Sequence, residues 1–199
     1  MNLILVRHGQ TDANAASLLQ GRADRSLNML GQQQAKRCAA ALAASVAAGA
    51  TIIASPLARA QQTALAIAGE HTKVHTDGGW IELDYGSWDQ VRISAVSAAT
   101  WQAWRADINF TPPDGESIAA LGARVRNACD DVLATSPDGA DDVIVVSHVS
   151  PIKAAVAWAL GVDDATSWRM RVDQASITRI TLSERGPSLV SFNETNHLA

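Results

Sequence analysis

The sequence predicts an α/β protein of three layers, a mostly parallel central sheet with helices on both faces. Two observations carry this. Short apolar runs, Leu3-Ile4-Leu5-Val6, Thr51-Ile52-Ile53-Ala54 and Val143-Ile144-Val145-Val146, alternate with stretches whose apolar residues recur every three or four positions. The first and third runs lead straight into Arg7-His8-Gly9 and Ser147-His148, as the strands of a parallel sheet deliver reactive groups at their carboxyl ends.

Each element follows from local chemistry. Residues 3 to 6 form the first strand, and a polar loop from Arg7 to about Asn28 follows it; loops of that length usually carry function. Asn28 caps a helix on which Ala35, Cys38, Leu42 and Val46 share one face, and Gly49 ends that helix. The run 51 to 54 is the second strand. Ser55-Pro56 then opens a helix through Arg59, Thr63 and Ile67, with proline in the first turn. From Val74 to Ser87 the pattern is short and irregular. Residues 83 to 115 are expected to form an insertion that covers the active edge of the sheet, carrying Trp88, Trp101 and Trp104. Pro112-Pro113-Asp114-Gly115 breaks it, after which Ile118, Leu121, Val125, Cys129 and Val132 mark an amphipathic helix. A Pro137-Asp138-Gly139 turn leads to the third main strand, a helix from about Pro151 to Leu160, and a closing strand pair at 176 to 182 and 188 to 192. The chain is expected to form a single domain, residues 1 to 199, with no repeat or linker.

At 199 residues and 47% apolar composition, one domain buries a substantial core. The formal charge of -4 argues against nucleic acid or an anionic membrane as partner, because both select basic surfaces. Any anion site is then a local cluster. Cys38 and Cys129 lack metal or disulfide spacing and are expected to be buried free thiols in a cytoplasmic protein. The short apolar stretch before Arg7 is expected to leave no room for a signal peptide and its cleavage site, and no later stretch is expected to span a bilayer.

Right-handed crossovers bring Arg7-His8, Arg59 and His148 to one side of the sheet, and helix amino termini near Ser55 and Ser150 add backbone donors for an anion. Two guanidinium forks, Arg7 and Arg59, match the oxygens of a phosphate monoester. A neutral imidazole of His8 held beside them attacks phosphorus and divides the transfer into two displacements. His148 donates to the equatorial oxygens, where charge accumulates in the transition state. Glu82, set among aromatic residues in a covered segment, is the general acid and then the base, with Asp84 in reserve.

Ordered blocks along nearly the whole chain resemble the histidine phosphatase superfamily in its phosphoglycerate-mutase-like branch. They are Leu3 to Thr11, Gln20-Gly21-Arg22, Ala54 to Ala64 (ASPLARAQQTA), Glu82 to Trp88 (ELDYGSW), Pro113-Asp114-Gly115-Glu116-Ser117, Val146-Ser147-His148 and Asn193 to Leu198 (NETNHL). The resemblance implies a phosphoglycerate-mutase-like fold, His8 as phosphoryl acceptor, Arg7, Arg59 and His148 as the phosphate pocket, and Glu82 as proton donor. It also implies that Asn14 and Gln20-Gly21 touch phosphate or substrate, that Arg22 faces the rest of the substrate, and that no metal or organic cofactor is needed. Gln10 stands where many members have Glu, Gln90 where Gly is frequent, and Val149 where Gly is commoner. The Val149 N–H is still expected to serve as a phosphate donor. The Ser147 to Lys153 block and the closing Asn-Glu-Thr-Asn-His-Leu look most like bacterial α-ribazole-phosphatase-like and broad acid phosphatases.

The implied function is hydrolysis of a small phosphorylated metabolite, with a homodimer left open. Mutase-type transfer is the alternative, disfavoured because the segment between Glu82 and Arg124 has only Arg92 and Arg105 as basic residues. A non-catalytic phospho-ligand binding domain is opposed by the intact His8, Glu82 and His148. A metal site on the two histidines has no supporting ligand spacing. His71, His75 and His197 are expected to be surface or structural, the tryptophans from 80 to 104 packing residues, and Arg124 and Arg126 a solvated helix face.

Overall fold

The computed structural model describes residues 1–46, 49–70, 72–135 and 142–199; His71 and the Pro137-Asp138-Gly139 turn lie outside the described residues. Its strands are β1 (Asn2–Arg7), β2 (Thr51–Ala54), β3 (Val74–Thr76), β4 (Val143–Ser147), β5 (Ile177–Ser183) and β6 (Gly186–Glu194). They form one mixed sheet in the order β3-β2-β4-β1-β5-β6. The β3-β2, β2-β4 and β4-β1 pairs are parallel, and β5 and β6 close the sheet antiparallel.

The helices are α1 (Asp12–Ala15), α2 (Met29–Ala43), α3 (Ala58–Ala68), α4 (Ala98–Ala106), α5 (Ile118–Thr135) and α6 (Val149–Leu160). Successive side chains of a strand point to opposite faces, and both faces of the central strands are apolar. Leu3, Leu5, Val143 and Val145 pack with Leu121, Val125 and Cys129 of α5 and Ile152 and Ala155 of α6. Ile4, Val6, Ile144 and Val146 pack with Cys38 and Leu42 of α2 and Ala60 and Ala64 of α3. The three-layer arrangement is the burial of these two stripes. Truncating Leu5 or Ile144 to Ala, both buried, is worth about 2–5 kcal/mol.

Register sets the site. Arg7 pairs with Ser147 on adjacent parallel strands, so His8 and His148 are the next residues on each. The ladder continues one step further, His8 N–H donating to the Ser147 carbonyl at 3.0 Å, and the Ser55 N–H donating to the Val146 carbonyl at 3.0 Å. Gly9 permits a close crossing behind this edge: a Cβ there would lie 2.3 Å from the Gly31 carbonyl oxygen at the start of α2.

Three helix boundaries depart from the expected ones. The α3 helix begins at Ala58 with Leu57 extended at its cap, leaving Pro56 in the preceding turn; the Asp24 carboxylate accepts from the Ala58 N–H at 2.7 Å. The α6 helix begins at Val149, ahead of Pro151, whose missing N–H falls in the first turn where no intrahelical partner exists. The α2 helix ends at Ala43, where the Ser45 and Val46 N–H groups both turn back to the Leu42 carbonyl.

Residues 83 to 115 hold two single-turn 3-10 helices, Gly86–Trp88 and Ile93–Ala95, and α4. This segment pairs with the loop after β1: the Leu19 N–H donates to the Val91 carbonyl at 2.8 Å, and Gln90 returns the bond to the Leu19 carbonyl at 2.7 Å. Gln90 adopts φ 67° there, in the left-handed region that favours glycine. Trp104 is the hub of an aromatic cluster, stacked on Trp101 at 5.4 Å and packed edge-on against Tyr85, Trp88 and Trp168. Trp80 and Trp104 are fully buried, as packing residues should be, whereas Trp101 also faces a cleft.

Candidate active site

The carboxyl ends of β1 and β4 deliver two imidazoles whose ring centres lie 5.0 Å apart. Nδ1 of His8 lies 2.7 Å from the Gly9 carbonyl oxygen, which only accepts, so Nδ1 carries the proton. Nε2 is then an unprotonated lone pair, and the Nε–H of Arg59 donates to it at 3.2 Å. The same Arg59 Nε–H reaches Nδ1 of His148 at 3.2 Å. His148 must therefore hold its proton on Nε2, which donates to Ser55 Oγ at 2.7 Å.

Arg59 is fully buried on the first turn of α3. Its remaining donors clamp the loop after α1, Nη2 to the Gly21 carbonyl at 2.7 Å and Nη1 to the Ala23 carbonyl at 3.1 Å. Asp89 secures the other side of that loop by accepting from the Gly21 and Ala23 N–H groups. Thr63, one turn along α3, accepts from the Gly9 N–H at 3.2 Å and donates to the Arg59 carbonyl. Arg7 donates through Nη1 to the Val172 carbonyl at 2.8 Å, while its buried Nε has no partner among the described residues.

Burial holds the His8 imidazole well below the ordinary histidine range, with further depression from the Arg59 and Arg7 charges. Burial likewise depresses His148, with Arg59, His8 and Arg7 adding to it. Both are neutral at physiological pH. Burial also draws Arg7 down to about 10, against the pull of Glu82.

Glu82 is buried beside this pair. Its carboxylate accepts from the N–H groups of Leu83 at 2.7 Å, Val149 at 3.1 Å and Ser150 at 3.2 Å. The amino terminus of α6 thus holds a carboxylate. In the free protein the Val149 N–H is bonded to Glu82, because a helix amino end attracts the nearest anion.

A cleft of about 330 Å³ is lined by Arg7, His8, Asn14, Gln20, Glu82, Tyr85, Trp101, Val149 and Gln174, among others. Asn14 and Thr11 both donate to the Gln20 side-chain oxygen, leaving the buried Gln20 Nε2 without a partner among the described residues. Arg59 and His148 are sealed from solvent and reach the cleft through His8. Gly21 contributes its backbone to the Arg59 clamp. Arg22, expected to face the substrate, is paired with Asp84 at 3.1 Å and Glu116 at 3.4 Å.

Arg124 corrects another expectation. It is half-buried, with a forked pair to Glu116 and donations to the backbone carbonyls of Gly79 and Glu82. It buttresses the Glu82 backbone instead of meeting solvent. Arg126 makes a two-pronged pair with buried Asp164. Thr63, Asp89 and Gln174 are site residues that sequence reasoning missed, and the start of a helix near Ser55 is expected but not the bond of its hydroxyl to His148.

His75 is exposed, and His197 bonds the Ala175 carbonyl and Cys38, both structural settings. Cys38 and Cys129 are free and buried, and burial pushes the Cys38 thiol up to about 12. Among the described residues no cluster of three or more His, Cys, Asp or Glu side chains is placed to hold a metal ion, and no helix is long and apolar enough to cross a membrane.

This constellation, Arg7, His8 and His148 at parallel strand ends with Arg59 on the first turn of α3, belongs with the fold. Residues 3–195 match the model of the histidine phosphatase superfamily, branch 1, and the chain belongs to that family. It is 35% identical over 162 residues to a bifunctional protein of Mycobacterium tuberculosis, covering 79% of this chain and 44% of that protein. The chain thus spans less than half the length of the first curated relatives it matches. It is 36% identical over 166 residues to a glucosyl-3-phosphoglycerate phosphatase of the same species, covering 78% of this chain and 73% of that one. The crystal structure of a phosphoserine phosphatase mutant from Entamoeba histolytica in complex with phosphoserine superposes with a TM-score of 0.89 at 27% identity, covering 100% of this chain and 99% of that one.

Proposed function

We propose that the chain hydrolyses small phosphomonoesters through a phosphohistidine on His8. The observation that carries this is the state of one atom: Nε2 of His8 is a lone pair at the cleft, kept unprotonated by the Nδ1–H bond to Gly9, by burial and by the Arg59 and Arg7 charges. Membership of the family and the names of the two phosphatase relatives support the same chemistry.

Arg7 and Arg59, with Asn14, Gln20 and His148, bind the phosphoryl oxygens and hold the group in line with Nε2. Nε2 forms a bond to phosphorus as the ester P–O bond breaks, and the departing oxygen takes the proton of the Glu82 carboxyl group. Glu82, now a carboxylate, accepts a proton from water while the water oxygen attacks phosphorus. The N–P bond breaks, and inorganic phosphate leaves. Val149 presents its N–H to Glu82 in the free protein and to phosphate once that carboxylate is protonated. Gly21 shapes the wall and Arg22 borders the entrance.

Residues 83 to 115 cover the cleft through Tyr85, Ile93 and Trp101. Hydrolysis is favoured over mutase-type transfer because the two basic residues of this segment are engaged elsewhere, Arg92 with the Ala16 carbonyl and Arg105 over the Trp101 and Trp168 rings. We take residues 1 to 199 as one catalytic domain, metal-independent and acting on a small phosphorylated metabolite; the free thiols favour a cytoplasmic setting.

The test is hydrolysis of para-nitrophenyl phosphate in the presence of a chelator. The expected result is turnover by the native chain and none by His8→Ala. Turnover that survives His8→Ala overturns the assignment.

A further inference from the structure

The closing Asn193 to Leu198 block takes no part in the transfer steps, yet two of its side chains hold the loop that supports Arg7. Residues 170 to 176 run without helix or strand ahead of β5, and Gln174 within them lines the cleft. This loop meets the catalytic pair at three points. The Val172 carbonyl accepts from Arg7 Nη1 at 2.8 Å, the Ser176 carbonyl accepts from the Arg7 N–H at 3.1 Å, and the Ala175 N–H donates to the His8 carbonyl at 3.2 Å. Its shape needs outside support, because buried Ala175 adopts φ 56°, which strains a residue with a Cβ. Nε2 of His197 at 2.9 Å and Sγ of Cys38 at 3.1 Å both donate to the Ala175 carbonyl.

Asn193 grips the other end of the loop. Its Oδ1 accepts from the Asp173 N–H at 2.7 Å, and its Nδ2–H donates to Asp173 Oδ2 at 2.9 Å. The Asp173 N–H and the Val172 carbonyl belong to one planar peptide, so Asn193 on one side and Arg7 on the other are bonded to the same plane. Nη1 of Arg7 is thereby held, while its buried Nε has no partner among the described residues. Burial lowers the proton affinity of Arg7, and the charges of Glu82 and then Asp173 oppose this, so the residue that Asn193 grips also faces Arg7 electrostatically.

We propose that Asn193 is a positioning residue for phosphate recognition: through the Val172–Asp173 peptide it fixes the direction of the Arg7 guanidinium before the ester arrives. A hydrogen bond accepted from a peptide N–H polarises the carbonyl of that peptide and strengthens the bond the carbonyl accepts. A guanidinium already in place then needs no ordering when phosphate binds. Asparagine suits the position, since it adopts φ 57° where the β5–β6 register shifts. Glycine keeps that backbone and removes only the side chain. The inference rests on the phosphomonoesterase reading of the cleft, and its test separates the two.

The variants are Asn193→Gly, Arg7→Met and the two together, compared by kcat/KM for para-nitrophenyl phosphate and by calorimetric titration with inorganic phosphate. Asn193→Gly alone should lose about tenfold in kcat/KM, chiefly through KM, and weaken phosphate binding by a similar factor. Added to Arg7→Met it should lose less than about twofold further, because the group it positions is gone. A loss within about twofold in the native background, or equal losses in both backgrounds, overturns the proposal while leaving the phosphatase reading intact. Should no ester be hydrolysed, that reading fails, and the phosphate titration still decides by the same comparison; a native chain that binds no phosphate overturns the proposal as well. If Asn193→Gly does not fold, NMR relaxation of the native chain without phosphate decides. An Arg7 Nε–H order parameter near the rigid-backbone value of about 0.85 supports a fixed guanidinium, and one below about 0.6 overturns it.

Discussion

Nε of Arg59 lies 3.2 Å from Nε2 of His8, so the guanidinium expected to grip phosphate points at the nucleophile itself in the free protein. The same Nε–H serves His148, and the terminal nitrogens hold the Gly21 and Ala23 carbonyls. One planar side chain therefore touches both imidazoles and holds the loop. Arg59→Lys keeps the charge but loses the fork. We expect kcat/KM for para-nitrophenyl phosphate to fall about 100-fold or more, measured by steady-state kinetics. A loss within threefold would place phosphate binding elsewhere.

His148 has no free donor in this arrangement: Nδ1 accepts from Arg59 and Nε2 is engaged with Ser55. To donate to a phosphate oxygen it must gain a proton on Nδ1, and an arriving dianion reverses the positive field that keeps it neutral. Binding of inorganic phosphate near pH 7 should then take up about one proton. Calorimetry in buffers of different ionisation enthalpy reads this directly, and His148→Gln should abolish the uptake. Phosphate binding with no net proton change in the native chain would show that His148 stays neutral.

Acid should destabilise the fold. Both imidazoles have depressed proton affinity in the folded chain, so below about pH 6.5 the unfolded chain binds protons that the folded chain refuses. Stability is thus full above that pH and falls as pH drops toward the folded-state values, by up to about 1.4 kcal/mol per pH unit for each histidine. Urea unfolding at pH 7.5 and pH 5.5 checks the slope, which His148→Gln should lessen. An unchanged slope in that variant would contradict the assignment. The same depression keeps the His8 nucleophile unprotonated in mild acid.

Glu82→Gln separates acid catalysis from binding. An alkyl leaving group needs a proton and a nitrophenolate does not, so the variant should slow alkyl phosphates at least tenfold more than para-nitrophenyl phosphate. Equal losses would move the acid role to another group, Asp84 first.

Much of this was legible in the sequence because strand ends are local signals. A short apolar run followed by Arg-His-Gly or Ser-His locates the reactive edge, and the apolar spacing from Ile118 to Val132 marks α5. What escaped notice depends on partners remote in sequence. Asp24 caps α3 and Glu82 occupies the start of α6, so neither helix boundary is set by its neighbours along the chain. Arg124 resembles any solvated helix residue until Gly79, Glu82 and Glu116 are brought around it. Asp89 likewise gains its role only when residues 83 to 115 fold back on the loop after β1.

Turnover through His8 requires a covalent bond from phosphorus to Nε2. Rapid acid-free quenching of the native chain turning over a radiolabelled phosphomonoester, followed by peptide mapping, tests it most directly. An acid-labile, alkali-stable label is expected on the peptide containing His8, absent in His8→Ala. Rapid turnover with no labelled protein at any quench time, or a label on another residue, would contradict it.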